Sequence, residues 1–415
     1  MPKLSAFLAN VMTVLVGTAL AQALPLGILP ILTRILPSEA LGHYFVWFGA
    51  VSVLLVVATA RLDIAIFSAR TQQEVEALLR TVIAVSAMVA CAALVATFVY
   101  ACATGTLPLS DFSTGYYVSG VVLAWILAIN QTLVAIFVYR AEFRRMARAK
   151  ILLAAGVSVA QLVLCVVGAD LAGLVYAHVG AALVVTLILL RELGLSVSRV
   201  VRELSWQEVR ATVKAYYRFP VFSLPSDLAS SLSAQIPLFL ILQRFGAAQA
   251  AAYALTFRIL AGPVGLLANS VLAAFKEQAS REFRETGNCM GAYWQALRSL
   301  SALAVVPFAL VGVFGEWAFV VVFGHDWVQA GRFAQILAVM FALKFVASPL
   351  SYTLYITNRQ VHDLMWQIAL LIMTVTIFTF DADLIELIVV YSAGYSALYL
   401  AYLVISYGAA RGARP

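Results

Sequence analysis

Charge is what this chain has least of. Asp, Glu, Lys and Arg make up 11% of its 415 residues, where soluble domains carry about 25%. Cysteine and histidine are equally sparse, with four of each. Cys91, Cys102, Cys165 and Cys289 form no Cys-x-x-Cys pair, so neither a zinc site nor a disulfide framework is indicated. His43, His178, His325 and His362 are too dispersed for a metal cluster. No Gly-x-x-x-x-Gly-Lys loop is present to cradle a nucleotide phosphate, and neither His-Glu-x-x-His nor Gly-x-Ser-x-Gly occurs. No catalytic residue, metal or cofactor is therefore expected, and no stretch is polar enough to form a large soluble domain.

What remains is hydrophobic. Apolar residues make up 63% of the chain, and the mean hydropathy is +0.96. A bilayer core of ~30 Å takes about 20 apolar residues as helix, and such stretches recur from end to end. Helices satisfy their own backbone groups in lipid, whereas the short alternating segments of a membrane barrel are missing. The expected fold is an all-α integral membrane protein of about 12 transmembrane helices. They are expected at 10–36, 41–60, 81–103, 115–139, 151–168, 173–190, 218–242, 249–272, 299–322, 332–357, 364–380 and 384–407. Lys3 and Ala21-Gln22-Ala23 imitate a secretory signal, but the apolar run continues to Leu36 and reads as the first membrane helix.

The net charge of +7 could suggest nucleic acid, but its placement argues for topology. Lys and Arg collect in alternate connections, among them Arg61 to Arg80, Arg140 to Lys150, Arg191 to Arg218 and Lys276 to Arg298. The other connections hold Glu39, Asp111, Asp170, Asp326, Asp381 and Asp383. Positive-inside placement makes both termini cytoplasmic, with 104–114 and 323–331 outside.

The longest polar stretch, 191–217, carries Val197, Val201, Leu204, Val209 and Val213 near helical spacing. It reads as a cytoplasmic amphipathic linker between an N-terminal six-helix lobe, 1–190, and a C-terminal one, 218–415. A weak repeat agrees. Arg34 is followed by Tyr44 and Phe48, and Arg244 by Tyr253 and Phe257, an offset that maps half onto half. Six helices per half give both halves one orientation, related by a pseudo-two-fold along the membrane normal.

Charged residues at bilayer depth cost ~2.5–3.5 kcal/mol on insertion scales. Asp227 lies ~14 Å into the seventh span, Arg258 a similar distance into the eighth, and Lys344 ~18 Å along the tenth. Polar stripes accompany them: Ser223, Asp227, Ser231 and Gln235; Arg258, Gly262, Gly265 and Asn269; Lys344, Ser348, Tyr352 and Tyr355; Tyr391, Tyr395 and Tyr399. These faces are expected to look into a water-filled cavity. Two readings are open. Asp227 and Arg258 form a structural ion pair while Lys344 snorkels, or the residues bind an anionic substrate between aromatic walls. Arg34 and the Arg61–Asp63 pair are further candidates, and His178 reads as a packing residue.

Leu32-Thr33-Arg34-Ile35-Leu36-Pro37, followed by Gly42-His43-Tyr44, resembles the first hairpin of Wzx-type O-antigen and oligosaccharide flippases. Ala251-Ala252-Tyr253-Ala254-Leu255-Thr256-Phe257-Arg258-Ile259-Leu260, with Pro263 beyond, resembles their eighth span. These belong to the multidrug/oligosaccharidyl-lipid/polysaccharide exporter superfamily. The resemblance implies an undecaprenyl-diphosphate-linked oligosaccharide flipped to the periplasmic leaflet of a bacterial inner membrane. It implies alternately opening lobes, a monomer, a polysaccharide polymerase as partner, and no bond chemistry. A multidrug exporter of the same superfamily is one rival, although its acidic residues would suit cationic drugs. A membrane polymerase or ligase is the other, although such enzymes tend to carry a long periplasmic loop.

Overall fold

The computed structural model describes residues 2–104, 112–195, 202–357 and 359–412. Among these the chain is helical throughout, without a strand. The membrane helices are α1 (Pro2–Ile35), α2 (Ser38–Thr59), α3 (Gln72–Thr104), α4 (Thr114–Tyr139), α5 (Phe143–Val166) and α6 (Asp170–Glu192). After the short α7 (Trp206–Ala215) come α8 (Leu224–Phe245), α9 (Ala247–Thr286), α10 (Met290–Phe323), α11 (Val328–Leu350), α12 (Gln360–Thr379) and α13 (Leu384–Ala410). Eleven segments are long and apolar enough to cross a membrane among the described residues. The expected eighth span lies within the 40-residue α9.

Several helices outrun their expected spans. α3 begins at Gln72 rather than near 81, and α9 ends at Thr286 rather than near 272. Hydropathy marks only the lipid-crossing part, while good helix formers carry the same helix on into water. The tenth span, His325–Ile356, ends where expected but is not one continuous helix. α11 stops at Leu350, just past Pro349, and a separate turn of helix covers Thr353–Ile356. Proline there withdraws a backbone donor and lets the chain bend. Pro25 and Pro30 leave α1 helical, and Pro220 lies in a π-helical turn, Phe219–Ser223, ahead of α8.

Packing divides the chain into two compact units, Met1–Gln235 and Ile236–Pro415. The boundary falls inside α8, later than the expected linker. The reason is that the linker is bound to the first unit. Arg80 grips Glu208 of α7 at 2.9 and 2.7 Å, and the Tyr216 hydroxyl donates to Glu74 at 2.9 Å. Burial and that carboxylate push the Tyr216 hydroxyl up to about 12. On α7 itself Val209 and Thr212 are buried, the apolar side of an amphipathic helix. Val197 and Val201, expected on the same face, lie outside the described residues.

In the first unit α1 packs on α5, α5 on α6, and α4 on α2, α3 and α6. In the second, α11 is central, packing on α9, α10 and α13. Its crossing with α10 depends on two glycines. A Cβ on Gly331 would meet the Glu316 backbone at 2.5 Å, and one on Gly315 would meet the Gly331 carbonyl at 3.1 Å. Small residues let membrane helices approach this closely where there is no hydrophobic drive between them.

Candidate functional site

In the first unit the charges converge where α2 ends. Ala60 and Arg61 both adopt left-handed backbone, with φ of 45° and 57°. Each such non-glycine residue costs ~1–2 kcal/mol. The turn feeds Leu62, Ala65 and Ile66 into a core with Leu78, Leu133, Phe137 and Leu189. Burying a large apolar side chain returns ~1.5–3 kcal/mol, which holds the turn in place. The turn aims the Arg61 guanidinium at Asp227, its Nε donating to Oδ2 at 2.5 Å. Asp63 points inward and is 3% exposed. Its Oδ2 accepts from Gln131 Nε2 at 2.7 Å, while its Oδ1 is buried with no close hydrogen-bond partner among the described residues. Burial raises the Asp63 carboxyl above its ordinary value; Arg61 and the hydrogen bonds from Thr59 and Gln131 pull against that. The carboxylates at this end therefore have different environments: Asp227 is paired and Asp63 is desolvated.

Asp227 thus has an ion-pair partner in Arg61. Arg61 was visible in the sequence as a loop charge. A partner 166 residues away was not.

In the second unit Arg258 sits on α9 and Lys344 on α11, two helices in direct contact. Thr256 Oγ1 donates to the Ala330 carbonyl at 2.7 Å, and the rings of Phe257 and Phe341 meet at 5.1 Å. Both cations are half-buried. Lys344 has no hydrogen bond or ion pair among the described residues. Its Nζ lies 5.7 Å from the Phe341 ring centre and 6.0 Å from that of Tyr395. That is within the range over which a ring face attracts a cation.

The tyrosine stripe of α13 departs from expectation. Tyr391, Tyr395 and Tyr399 are buried at 1%, 8% and 4% exposure rather than open to water. They form a ladder with Phe378 at one end and Trp366 at the other, at ring separations of 5.1–5.3 Å. Aromatic packing against α12 outweighed solvation of the hydroxyls. Tyr352 and Tyr355 lie beyond the end of α11 and stack at 5.6 Å, with Lys276 Nζ 4.3 Å over the Tyr352 ring. Tyr355 donates to Asp363 at 3.0 Å, and Tyr402 donates to its other oxygen. Asp363 was not singled out in the sequence, since a carboxylate in the first turn of a span looks like an ordinary helix-start charge. Only the fold shows it organising two tyrosines.

Arg34 is exposed in the last turn of α1, and Gln235 is half-buried on α8. The Asn269 side chain lies outside the described residues. Arg244 caps the end of α12, donating to the carbonyls of Phe378 at 3.0 Å and Phe380 at 2.5 Å. His178 accepts or donates a 2.9 Å bond with the Tyr44 hydroxyl and stacks on Phe48, a packing role. Among the described residues no group of three or more His, Cys, Asp or Glu is placed to hold a metal. These arrangements suit binding and ion pairing, with no nucleophile–base pair evident.

Residues 7–275 match the family described as polysaccharide biosynthesis protein. No curated protein sequence is significantly similar to the chain. Among solved structures, a MOP superfamily transporter from Pyrococcus furiosus Vc1 (DSM3638) is similar over 96% of this chain and 94% of its own, at 12% identity and a TM-score of 0.60. A multidrug resistance MATE family transporter of the MOP superfamily is similar in two conformations. Its outward-facing form covers 96% and 94% at 14% identity and a TM-score of 0.58. Its inward-facing form covers 94% and 93% at 13% identity and a TM-score of 0.59. At these identities the likeness establishes the fold, that of a MOP superfamily transporter.

Proposed function

Since the chain belongs to the polysaccharide biosynthesis protein family, we propose that it is a flippase moving an undecaprenyl-diphosphate-linked oligosaccharide from the cytoplasmic to the periplasmic leaflet of a bacterial inner membrane. The observation that carries the substrate reading is Lys344, an ammonium within a membrane helix that lies beside the rings of Phe341 and Tyr395, with no ion pair among the described residues. Such a cation supports an anion site, and Arg258 on the adjoining helix adds a planar fork suited to phosphate. Tyr352 and Tyr355 supply ring faces for a glycan, while Tyr395, buried in its ladder, bounds the site beside Lys344. Arg34, Gln235 and Asn269 are assigned contacts along the path, and Arg61–Asp227 a charge pair that substrate can compete for. The cycle is alternating access through a cationic cavity, without bond chemistry. The same fold is known in outward-facing and inward-facing forms in a multidrug transporter. The flipped product goes to a polysaccharide polymerase, and the working unit is a monomer with both termini cytoplasmic.

Reconstituted vesicles test this with a lipid-linked glycan loaded in one leaflet and its arrival outside scored by an impermeant glycosidase. Lys344→Arg keeps part of the transport, while Lys344→Met and Lys344→Gln lose it. Normal transport by Lys344→Met would remove the anion site. Efflux of cationic dyes in place of glycan would assign the chain to drug export. For orientation, Ser113→Cys in a cysteine-free chain should react with an impermeant maleimide from the periplasmic side.

A further inference from the structure

The first unit contains a cavity of about 240 Å³ enclosed by α2, α3 and α4. Its walls include Trp47, Val51, Leu54, Phe112, Tyr116 and Gly120. Among the described residues no Lys, Arg, Asp or Glu lines it. The polar groups that reach it are largely occupied. Trp47 Nε1 donates to the Tyr116 carbonyl at 2.9 Å, and Thr97 Oγ1 donates to the carbonyl of Ala93 in its own helix at 2.9 Å. Gly120 lets the indole lie flat on α4, since a Cβ there would meet Trp47 Nε1 at 3.0 Å. The interior surface is hydrocarbon, and a dry apolar cavity of this kind takes up apolar molecules rather than water.

Its surroundings name the occupant. All three walls belong to candidate membrane spans. On α3, Ala93 and Thr97 line the cavity, while Val95, Phe98 and Val99 beside them are 61%, 69% and 58% exposed. Such side chains on a span of mean hydropathy 2.5 face lipid tails, so the medium at the cavity edge is hydrocarbon. The volume is below the ~300–1,000 Å³ of sites for drug-sized ligands, which calls for a slender occupant. Without a cation in the wall, nothing holds a phosphate inside. Phe112, Tyr116 and Tyr117 gather at the end next to the α3–α4 connection, with ring separations of 6.2 and 6.4 Å. Aromatic rings of this type settle at headgroup level. We propose that this cavity holds one acyl chain of a bilayer phospholipid, whose headgroup stays outside at the aromatic end. This site is independent of what the protein transports.

Trp47 is a built-in reporter, being 5% exposed and part of the wall. The full chain is reconstituted into phosphatidylcholine vesicles, with and without bromine on the acyl chains. The emission of Trp47 is isolated as the difference between wild type and Trp47→Phe. Trp327, 1% exposed, is isolated through Trp327→Phe as the buried control. Bromine quenches on contact, so Trp47 should lose most of its emission while Trp327 keeps its own. Ala93→Phe, which adds bulk at the edge, should restore Trp47 emission in brominated vesicles. Equal protection of Trp47 and Trp327 would overturn the proposal, as would quenching that Ala93→Phe leaves undiminished in a monodisperse protein. If Ala93→Phe does not fold, the comparison of the two tryptophans decides alone.

Discussion

The two units place charge within the membrane protein in opposite ways. In the first, Arg61 and Asp227 neutralise each other at 2.5 Å, and Asp63 is held by Gln131. In the second, Lys344 rests among rings. A pair of opposite charges fixes the geometry of the segments that carry it. A cation bounded by π-faces keeps its capacity to attract an anion. The contrast is a division of labour to be tested, in which Arg61 is spent on holding the α2 turn and Lys344 is kept for ligand.

The largest expected effect tests that division directly. Arg258→Ala should cost about 1.5–3 kcal/mol of substrate interaction, tenfold or more in apparent affinity, with protein abundance near normal. Titrating lipid-linked glycan in the vesicle assay measures it. A fall in abundance that matches the fall in transport would make Arg258 structural and dissolve the contrast.

Next in size is the opposite signature in the first unit. Asp227→Ala leaves the Arg61 guanidinium without its carboxylate. Breaking a fully buried pair costs ~3–5 kcal/mol, but Asp227 is 36% exposed, so about 1–2 kcal/mol is expected. Thermal unfolding in detergent should show the loss. The double variant Arg61→Met/Asp227→Leu should regain most of it. Double-variant protein that is stable but inactive would show that this pair serves transport as well as the fold.

The smallest effect is in pH. Burial raises the folded-state value of Asp63 above the ordinary 3.8, so the folded protein holds this proton more tightly than the unfolded chain. The associated stability is fully present below about 3.8 and is lost as pH rises through the folded value. Acidification from neutrality should therefore raise the melting temperature of wild type relative to Asp63→Asn. A shift of the opposite sign would mean that Arg61 outweighs desolvation at this carboxyl.

Most of the fold was legible in the sequence because lipid imposes one rule on every segment. Apolar runs marked the expected spans, and charged or polar connections marked the stretches between them. What hydropathy could not reveal was where a helix continues in water, hence the early start of α3 and the long end of α9. The site was legible in part. Lys344 and Arg258 stood out because charge in a span is costly. Their contact helices, the burial of Tyr391, Tyr395 and Tyr399, and the Arg61–Asp227 pair depend on packing between distant segments, to which a one-dimensional stripe is blind. Asp363 was concealed by resembling an ordinary helix-start charge.

The length of α9 has a mechanical consequence. Its 40 helical residues, with Pro263 among them, run for up to ~60 Å, twice the thickness of the hydrocarbon core. Its far end is not loose. Glu282 accepts from the backbone N–H groups of Gly291 and Ala292 at 2.8 and 2.7 Å, welding the helix to the start of α10. With the inner end fixed, a tilt of roughly 10° sweeps the outer tip through about 10 Å. A small reorientation around Arg258 would thus be amplified at Thr286, in water, where an antibody fragment clamped to the tip could stall or lock the stroke without touching the membrane.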